Sequence, residues 1–441
     1  MRQIRMVALA VAAIAAVTVA GVSWLSPVAM HHRESSQPSG QRNSDATPAV
    51  AADPLTSSIA RTQAHLRTVP RDWQAWATLG LDYVEQAKVT VDPTYYPKAD
   101  SALARSLQLE SSDNFVAMAG EAALSAARHD FHGALSWAQR GLAIDPRNAV
   151  LYGARCDALT QLGRYAEAEQ AARTMELLSP GSDAEARLSY AAELRGDVVA
   201  ARAFMKQALD DAVSASDAAF AHYYLAEIAL SAGDAWSALA DITDAPSPTS
   251  AMLLEGKAKA EIALGATAAA ERALATAVAD VPQPAYVLEY ADLLQSVGDA
   301  QGAADQRAVF RTEERLFRAN GVTLDTDEIL FEADHGSPRL AVSVGRAALR
   351  TRPFVETWDA YAWALHRTGR DRAALRASDH AIETGMRNAL FHYHRGVIEM
   401  ALGSTRNAAA DLRQALHLNP RFDPLRAPMA RQLLTKLRSG R

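Results

Sequence analysis

The sequence predicts an all-α fold: an α-solenoid of about ten antiparallel helix hairpins with capping helices at its ends. Three observations carry this. Between Asn148 and Pro180, apolar residues recur at three- and four-residue steps in two runs that meet at Gly163. Pro146 and Pro180 lie 34 residues apart, and so do Gly369 and Gly403. Hydrophobic residues make up 49% of the 441-residue chain while aromatics are only 7%, so the apolar content is mostly small and aliphatic, as closely packed helices require.

The 148–180 stretch shows how one hairpin works. Ala154 and Ala158 in its first run, and Ala168 and Ala172 in its second, are small enough to let two backbones approach. Gly163 ends the first helix, and Pro180 stops the second from continuing. Such a short hairpin cannot bury its apolar stripe alone, so it needs copies stacked on both sides.

The period, together with Trp76, Leu79, Gly80 and Tyr83, resembles the tetratricopeptide repeat, whose first half reads W-x2-L-G-x2-Y. A looser resemblance links the run FHYHRGVIEMALG, Phe391–Gly403, to exported repeat proteins of high-GC bacteria.

Along the chain, Arg2 and Arg5 precede an uncharged apolar run, and no charge follows until Arg33. Residues 1–30 therefore read as a signal anchor or a cleaved signal peptide. Either keeps the arginines on the cytoplasmic side and exports the rest, with membrane attachment if the segment is uncleaved. Residues 31–53, rich in Ser, Gln, Asn and His, read as a flexible linker. From Pro54 a half-repeat follows, with Ile59, Leu66 and Val69 expected to cover the edge of the first hairpin.

Repeats 1–7 are assigned to 54–320. Pro93 and Pro97 interrupt the first of them and expose Tyr95 and Tyr96 as either a binding tip or a flap packed on the hairpin. The seventh runs on through QRAVFRTEERLFRANG, and that elongated helix suggests a boundary before a second stretch, 321–441, holding repeats 8–10 and a basic C-terminal cap.

Composition and motifs exclude several functions. With 45 Lys and Arg against 51 Asp and Glu, the net charge of −6 offers no basic stripe for nucleic acid. A single cysteine, Cys156, rules out an internal disulfide framework and falls on an apolar stripe. No nucleophile elbow, zinc-protease motif, phosphate loop or dinucleotide fingerprint is present, so neither catalysis nor a cofactor is expected. His392 and His394 are two apart, which points their rings away from each other on a helix. His129, Asp130 and His132 read as turn and capping residues, so no metal is expected either.

The family resemblance implies that the first helix of each hairpin lines a concave surface whose outward side chains hold extended peptides. Carried onto this chain, that rule selects Tyr190, Glu193, Tyr223, Glu227, Glu255, Lys259, Asp292, Asp359, Trp363, His366 and Tyr393. The expectation is an exported scaffold binding protein or peptide segments at the cell envelope. A substrate receptor within an envelope enzyme and a self-associating structural protein are the alternatives.

Overall fold

The computed structural model describes residues 54–322 and 325–439. The segments expected as signal or anchor (1–30) and as linker (31–53) lie outside the described residues. Among the described residues there are twenty-two α-helices and no strand.

Helix α1 (Pro54–Thr68) is the N-terminal cap and buries Ile59 and Leu66. Val69, expected to join them, stays 44% exposed beyond the helix end. Ten hairpins follow. Repeat 1 pairs α2 (Trp73–Thr90) with α3 (Tyr96–Leu109); repeat 2, α4 (Phe115–Ala127) with α5 (Phe131–Ile144); repeat 3, α6 (Ala149–Gln161) with α7 (Tyr165–Leu178). Repeat 4 joins α8 (Ser182–Leu194) to α9 (Val198–Asp210), repeat 5 joins α10 (Ala215–Ser231) to α11 (Ala235–Thr243), and repeat 6 joins α12 (Ala251–Leu264) to α13 (Thr267–Asp280). Repeat 7 is α14 (Pro284–Ser296) and the long α15 (Ala300–Ala319). Repeats 8 to 10 are α16 (Asp325–His335) with α17 (Pro338–Thr351), α18 (Val355–Arg367) with α19 (Asp371–Ile382), and α20 (Ala389–Ala401) with α21 (Thr405–Leu418). Helix α22 (Arg426–Ser439) closes the chain.

Local chemistry explains where these helices begin. Asp72, Asn114, Asp130, Asn148, Asp197, Asp234 and Asp299 each accept a hydrogen bond from a backbone N–H in the first turn they precede. Each such cap stabilises its helix by about 1 kcal/mol. Asp130 thus serves as a cap through Gly133 N, and His129 beside it stacks on Phe131 with ring centroids 5.7 Å apart. Within repeat 3, Ala154, Ala158, Ala168 and Ala172 are all buried between the paired helices. Tyr96 is buried, and the half-buried Tyr95 lies 6.0 Å from the Tyr83 ring, so this loop folds back on repeat 1 and offers no aromatic tip. Burial pushes the Cys156 thiol up to about 12, leaving it a protonated packing group.

The boundary expected at 320/321 does not separate two cores. Phe310 and Phe317 of α15 are fully buried in the same apolar cluster as Phe331 of α16, with the Phe310 and Phe331 rings 4.6 Å apart. The greater departure is in the path of the superhelix, which coils back until its later loops rest on its earlier turns. Gly163 faces the Pro353 carbonyl, Gly196 the Gly385 carbonyl and Gly233 the Leu418 carbonyl. A shared apolar cluster seals the contact, joining Leu194 to Phe354, Val355, Met386 and Phe391, with Tyr165 and Tyr190 packed against it. Repeats 9 and 10 therefore stand over repeats 3 to 5, and the space along the superhelix axis becomes a partly enclosed lumen.

Candidate functional site

The lumen is a cavity of about 490 Å³. One wall is built from the first helices of repeats 4–7, and the other from α16, α18 and the loops that precede α20 and α22. Repeat register decides which side chains reach it. Tyr190, Glu227, Lys259 and Asp292 each stand six residues before the glycine that ends their hairpin turn, at Gly196, Gly233, Gly265 and Gly298. Glu193, Tyr223, Glu255 and Glu289 sit three or four residues away from these on the same helices, and such residues share a helix face.

Of the eleven residues selected from the sequence, seven line the cavity together: Tyr190, Glu193, Tyr223, Glu227, Glu255, Lys259 and Asp292. Asp359, Trp363, His366 and Tyr393 do not, which corrects their expected outward placement. Asp359 is buried and accepts or shares a hydrogen bond with His394 Nδ1 at 2.8 Å. Trp363 is buried, stacks on the His394 ring at 4.3 Å, and donates from Nε1 to Asp334 Oδ1 at 2.9 Å. His366 bonds Asp371 within its own repeat, at 2.6 Å. Tyr393 is buried against Trp363 and Phe422. The covers differ: His394 of α20 lies against Asp359 and Trp363, Phe422 of the segment before α22 lies against Tyr393, and His366 is tied within its own repeat.

The lining carries nine carboxylates against four Lys and Arg side chains. Two groups of acids hold cations from the chain itself. Lys259 Nζ lies 2.5 Å from Glu255, 3.5 Å from Glu227 and 3.6 Å from Glu289, bridging three successive repeats. Burial opposes its charge, but these three carboxylates outweigh it and raise its pKa well above the ordinary lysine value. Arg426, at the start of α22, donates to Asp292 and Asp334 at 2.9 Å each and to Asp423 at 2.7 Å. Burial works against ionisation of Asp292, yet contacts with His335 and Arg426 hold its pKa below the usual value.

The remaining acids are less well matched. Burial lifts Glu193 to about 7, with the Glu227 charge adding to the effect. Glu356 rises to about 8, again through burial; Arg352 opposes the shift while Asp327 and Glu193 reinforce it. Glu227 and Glu289 are also raised by burial, against the pull of Lys259. Glu255 is only 1% exposed, and its Oε2 accepts no hydrogen bond. An acidic, partly enclosed chamber lined by Tyr190, Tyr223 and Tyr224 can attract and desolvate a cation.

Sequence reasoning missed Glu289, Glu356, Asp334 and Arg426. Glu289 precedes Asp292 by three residues and was within reach of the same helix-face rule. Glu356 and Arg426 come from elements brought to the lumen only when the coil closes, and no repeat register encodes that.

No family model matches this chain, and no curated protein matches it. Solved structures do. A tetratricopeptide repeat protein from Parabacteroides merdae ATCC 43184 is 18% identical, with 58% of this chain and 98% of that one covered and a TM-score of 0.33. The Cut9–Hcn1 hetero-tetramer of APC/C is 13% identical over 87% of this chain and 76% of that one, with a TM-score of 0.37. The human IFIT1 dimer with PPP-AAAA is 14% identical over 82% and 87%, with a TM-score of 0.45. At these identities and scores the similarities carry neither partner nor activity to this chain.

Proposed function

We propose that this chain is a non-catalytic scaffold that binds protein segments bearing Lys or Arg in the acidic lumen of its superhelix. The observation that carries this reading is the charge imbalance of the lining, nine carboxylates to four Lys and Arg side chains, in a cavity walled by tyrosines. Like charges held in a partly dry space repel one another, and an incoming cation relieves that repulsion. Complementary charge also steers encounter with a basic partner. The position of the scaffold is outside the cytoplasm, as the basic start and apolar run of residues 1–30 favour. Among the described residues no helix is long and apolar enough to cross a membrane.

The test is binding of the full-length chain, in detergent solution, to an array of peptides that differ only in Lys and Arg content. Retention should follow basic content and fall about tenfold when Glu193, Glu227 and Glu289 are all changed to Gln. Equal retention of neutral and basic peptides removes the lumen from the account. A C-terminal reporter that becomes active only in an oxidising compartment tests export separately: an inactive reporter on an abundant fusion rejects it.

A further inference from the structure

A helix hairpin puts the turn between its helices on one edge of the solenoid and the connection to the next hairpin on the opposite edge. The coil closes by pressing the first kind of edge onto the second: the turns of repeats 3 to 5 lie on the connections that follow repeats 8 to 10. At that seam Val355 N, just past outer helix α17, donates to the hydroxyl of Tyr165, the first residue of outer helix α7, at 3.1 Å. Two stretches of edge are left over. The turns of repeats 7, 9 and 10 are free, since a Cβ on Gly298, Gly369 or Gly403 would meet nothing within 4 Å. On the opposite edge the connections from repeat 3 to repeat 7 are free: a Cβ on Gly181 would also meet nothing within 4 Å, and Val213 is 95% exposed.

The two free edges carry opposite charge in matching register. Arg339, Arg372 and Arg406 each stand second in an outer helix, α17, α19 and α21, on three successive repeats. Asp210 ends α9, Asp244 directly follows α11 and Asp280 ends α13, again one on each of three successive repeats. All six are exposed, and among the described residues none of them makes an ion pair or a side-chain hydrogen bond. Neither row favours its own helix, because a cation at a helix N-terminus and an anion at a C-terminus both oppose the macrodipole. The flanking sequence keeps the signs apart, with no Asp or Glu between His335 and Glu356 and no Lys or Arg between Lys206 and Lys257. Apolar side chains also stand open on both edges, Val297 and Leu340 on the basic one, Leu177 and Val213 on the acidic one.

We infer that the acidic edge of repeats 4 to 6 receives the basic edge of repeats 8 to 10 of a second copy of this chain, end to end, with the seam inside the coil as its template. The starts of outer helices in one copy meet the ends of outer helices in the next, arginine against aspartate, as α7 meets α17 within the chain. Each copy in such a pair keeps one edge open, so the contact is heterologous and builds a row of copies instead of a closed dimer. None of the six charged residues lines the lumen, so this association goes beyond the capture of basic segments and does not depend on it.

Sedimentation velocity on the full-length chain in detergent solution, over a concentration series, tests it. The mean particle mass should grow with concentration past that of two chains and return to that of one chain in about 1 M sodium chloride, where charges are screened beyond about 3 Å. Arg339→Glu, Arg372→Glu and Arg406→Glu combined should weaken association at least about tenfold, and so should Asp210→Lys, Asp244→Lys and Asp280→Lys combined, each with far-UV circular dichroism unchanged. Mixed in equal amounts, the two variants should associate again, because each offers the edge that the other lacks. A particle mass that stays constant with concentration, association unaltered in both variants, or no recovery on mixing overturns the inference. A chain that stays single yet binds phosphatidylglycerol nanodiscs through the same three arginines has a lipid partner at that edge, which overturns it as well.

Discussion

Arg352 Nε donates to Gln161 Oε1 at 2.6 Å, joining residues 191 apart in sequence at a point with no solvent exposure for the arginine. Next to it, Val355 N donates to the Tyr165 hydroxyl at 3.1 Å. In an open solenoid each repeat touches only its neighbours, and stability is a sum of local terms. Here the coil is fastened to itself, so repeats 3 and 9 share one fate.

Removing that fastening tests the consequence. Arg352→Met takes away a buried charged donor and leaves Gln161 Oε1 facing apolar surroundings, which should cost about 2–3 kcal/mol. Urea unfolding followed by far-UV circular dichroism should show a lower midpoint and a broader or divided transition, because the two halves lose their coupling. A midpoint equal to that of the parent would mean the closure contributes nothing.

A buried ion pair connects successive inner helices. Arg187 of α8 donates through Nε and Nη2 to Asp157 of α6 at 2.9 and 2.8 Å, with side chains 3% and 7% exposed. Arg187→Met strands the Asp157 carboxylate and should destabilise by about 3–5 kcal/mol, whereas Arg187→Met combined with Asp157→Leu should recover most of the loss. Thermal melts of the single and double variants separate the two cases; a double variant as weak as the single one would refute the pairing account.

The raised acids of the lumen set the direction of the pH response. Glu356 rises from 4.5 to about 8 and Glu193 from 4.5 to about 7, both chiefly through burial. Between the unfolded and folded values the folded chain binds more protons, so their stabilising contribution is full below about pH 4.5 and is lost as pH climbs toward 8. Stability should therefore fall from pH 5.5 to 8.5. Glu356→Gln should raise the unfolding free energy at pH 8.5, read from urea titration, by on the order of 1–2 kcal/mol, discounted because the cavity admits water, and change little at pH 5. A wild-type midpoint that climbs over this range would contradict the shift.

Much of this architecture is legible in the sequence, because the forces that make a hairpin are local. The turn glycines at 163, 196, 233, 265, 298, 369 and 403 all take a positive φ at the end of a first helix. The helix-face rule also brought seven lumen residues together. What the sequence hid depends on contacts between repeats distant in the chain. Trp363 occupies the same repeat position as Lys259, six residues before its turn glycine, yet one is packed on His394 and the other faces the lumen. The difference arises from what covers each repeat: α20 of the next repeat sets His394 and Tyr393 against Trp363. Arg426 likewise reads as part of a basic cap until the fold sets it against Asp292.

Two turn glycines with nearly the same backbone isolate the closure itself. Gly163 has φ +69° and Gly369 has φ +74°, both in the left-handed region, where an alanine costs about 1–2 kcal/mol. Their surroundings differ. A Cβ on Gly163 would stand 2.8 Å from the Pro353 carbonyl oxygen, a backbone atom that must move to make room, while one on Gly369 would meet nothing within 4 Å. Gly163→Ala should therefore destabilise more than Gly369→Ala, by about 1–3 kcal/mol of overpacking, as measured by urea midpoints at one pH. Because the conformational penalty is common to both, the difference between them reports the contact between coils. Equal losses would mean that repeat 3 and the loop after α17 are not pressed together, and the partly enclosed lumen would have to be read as an open groove.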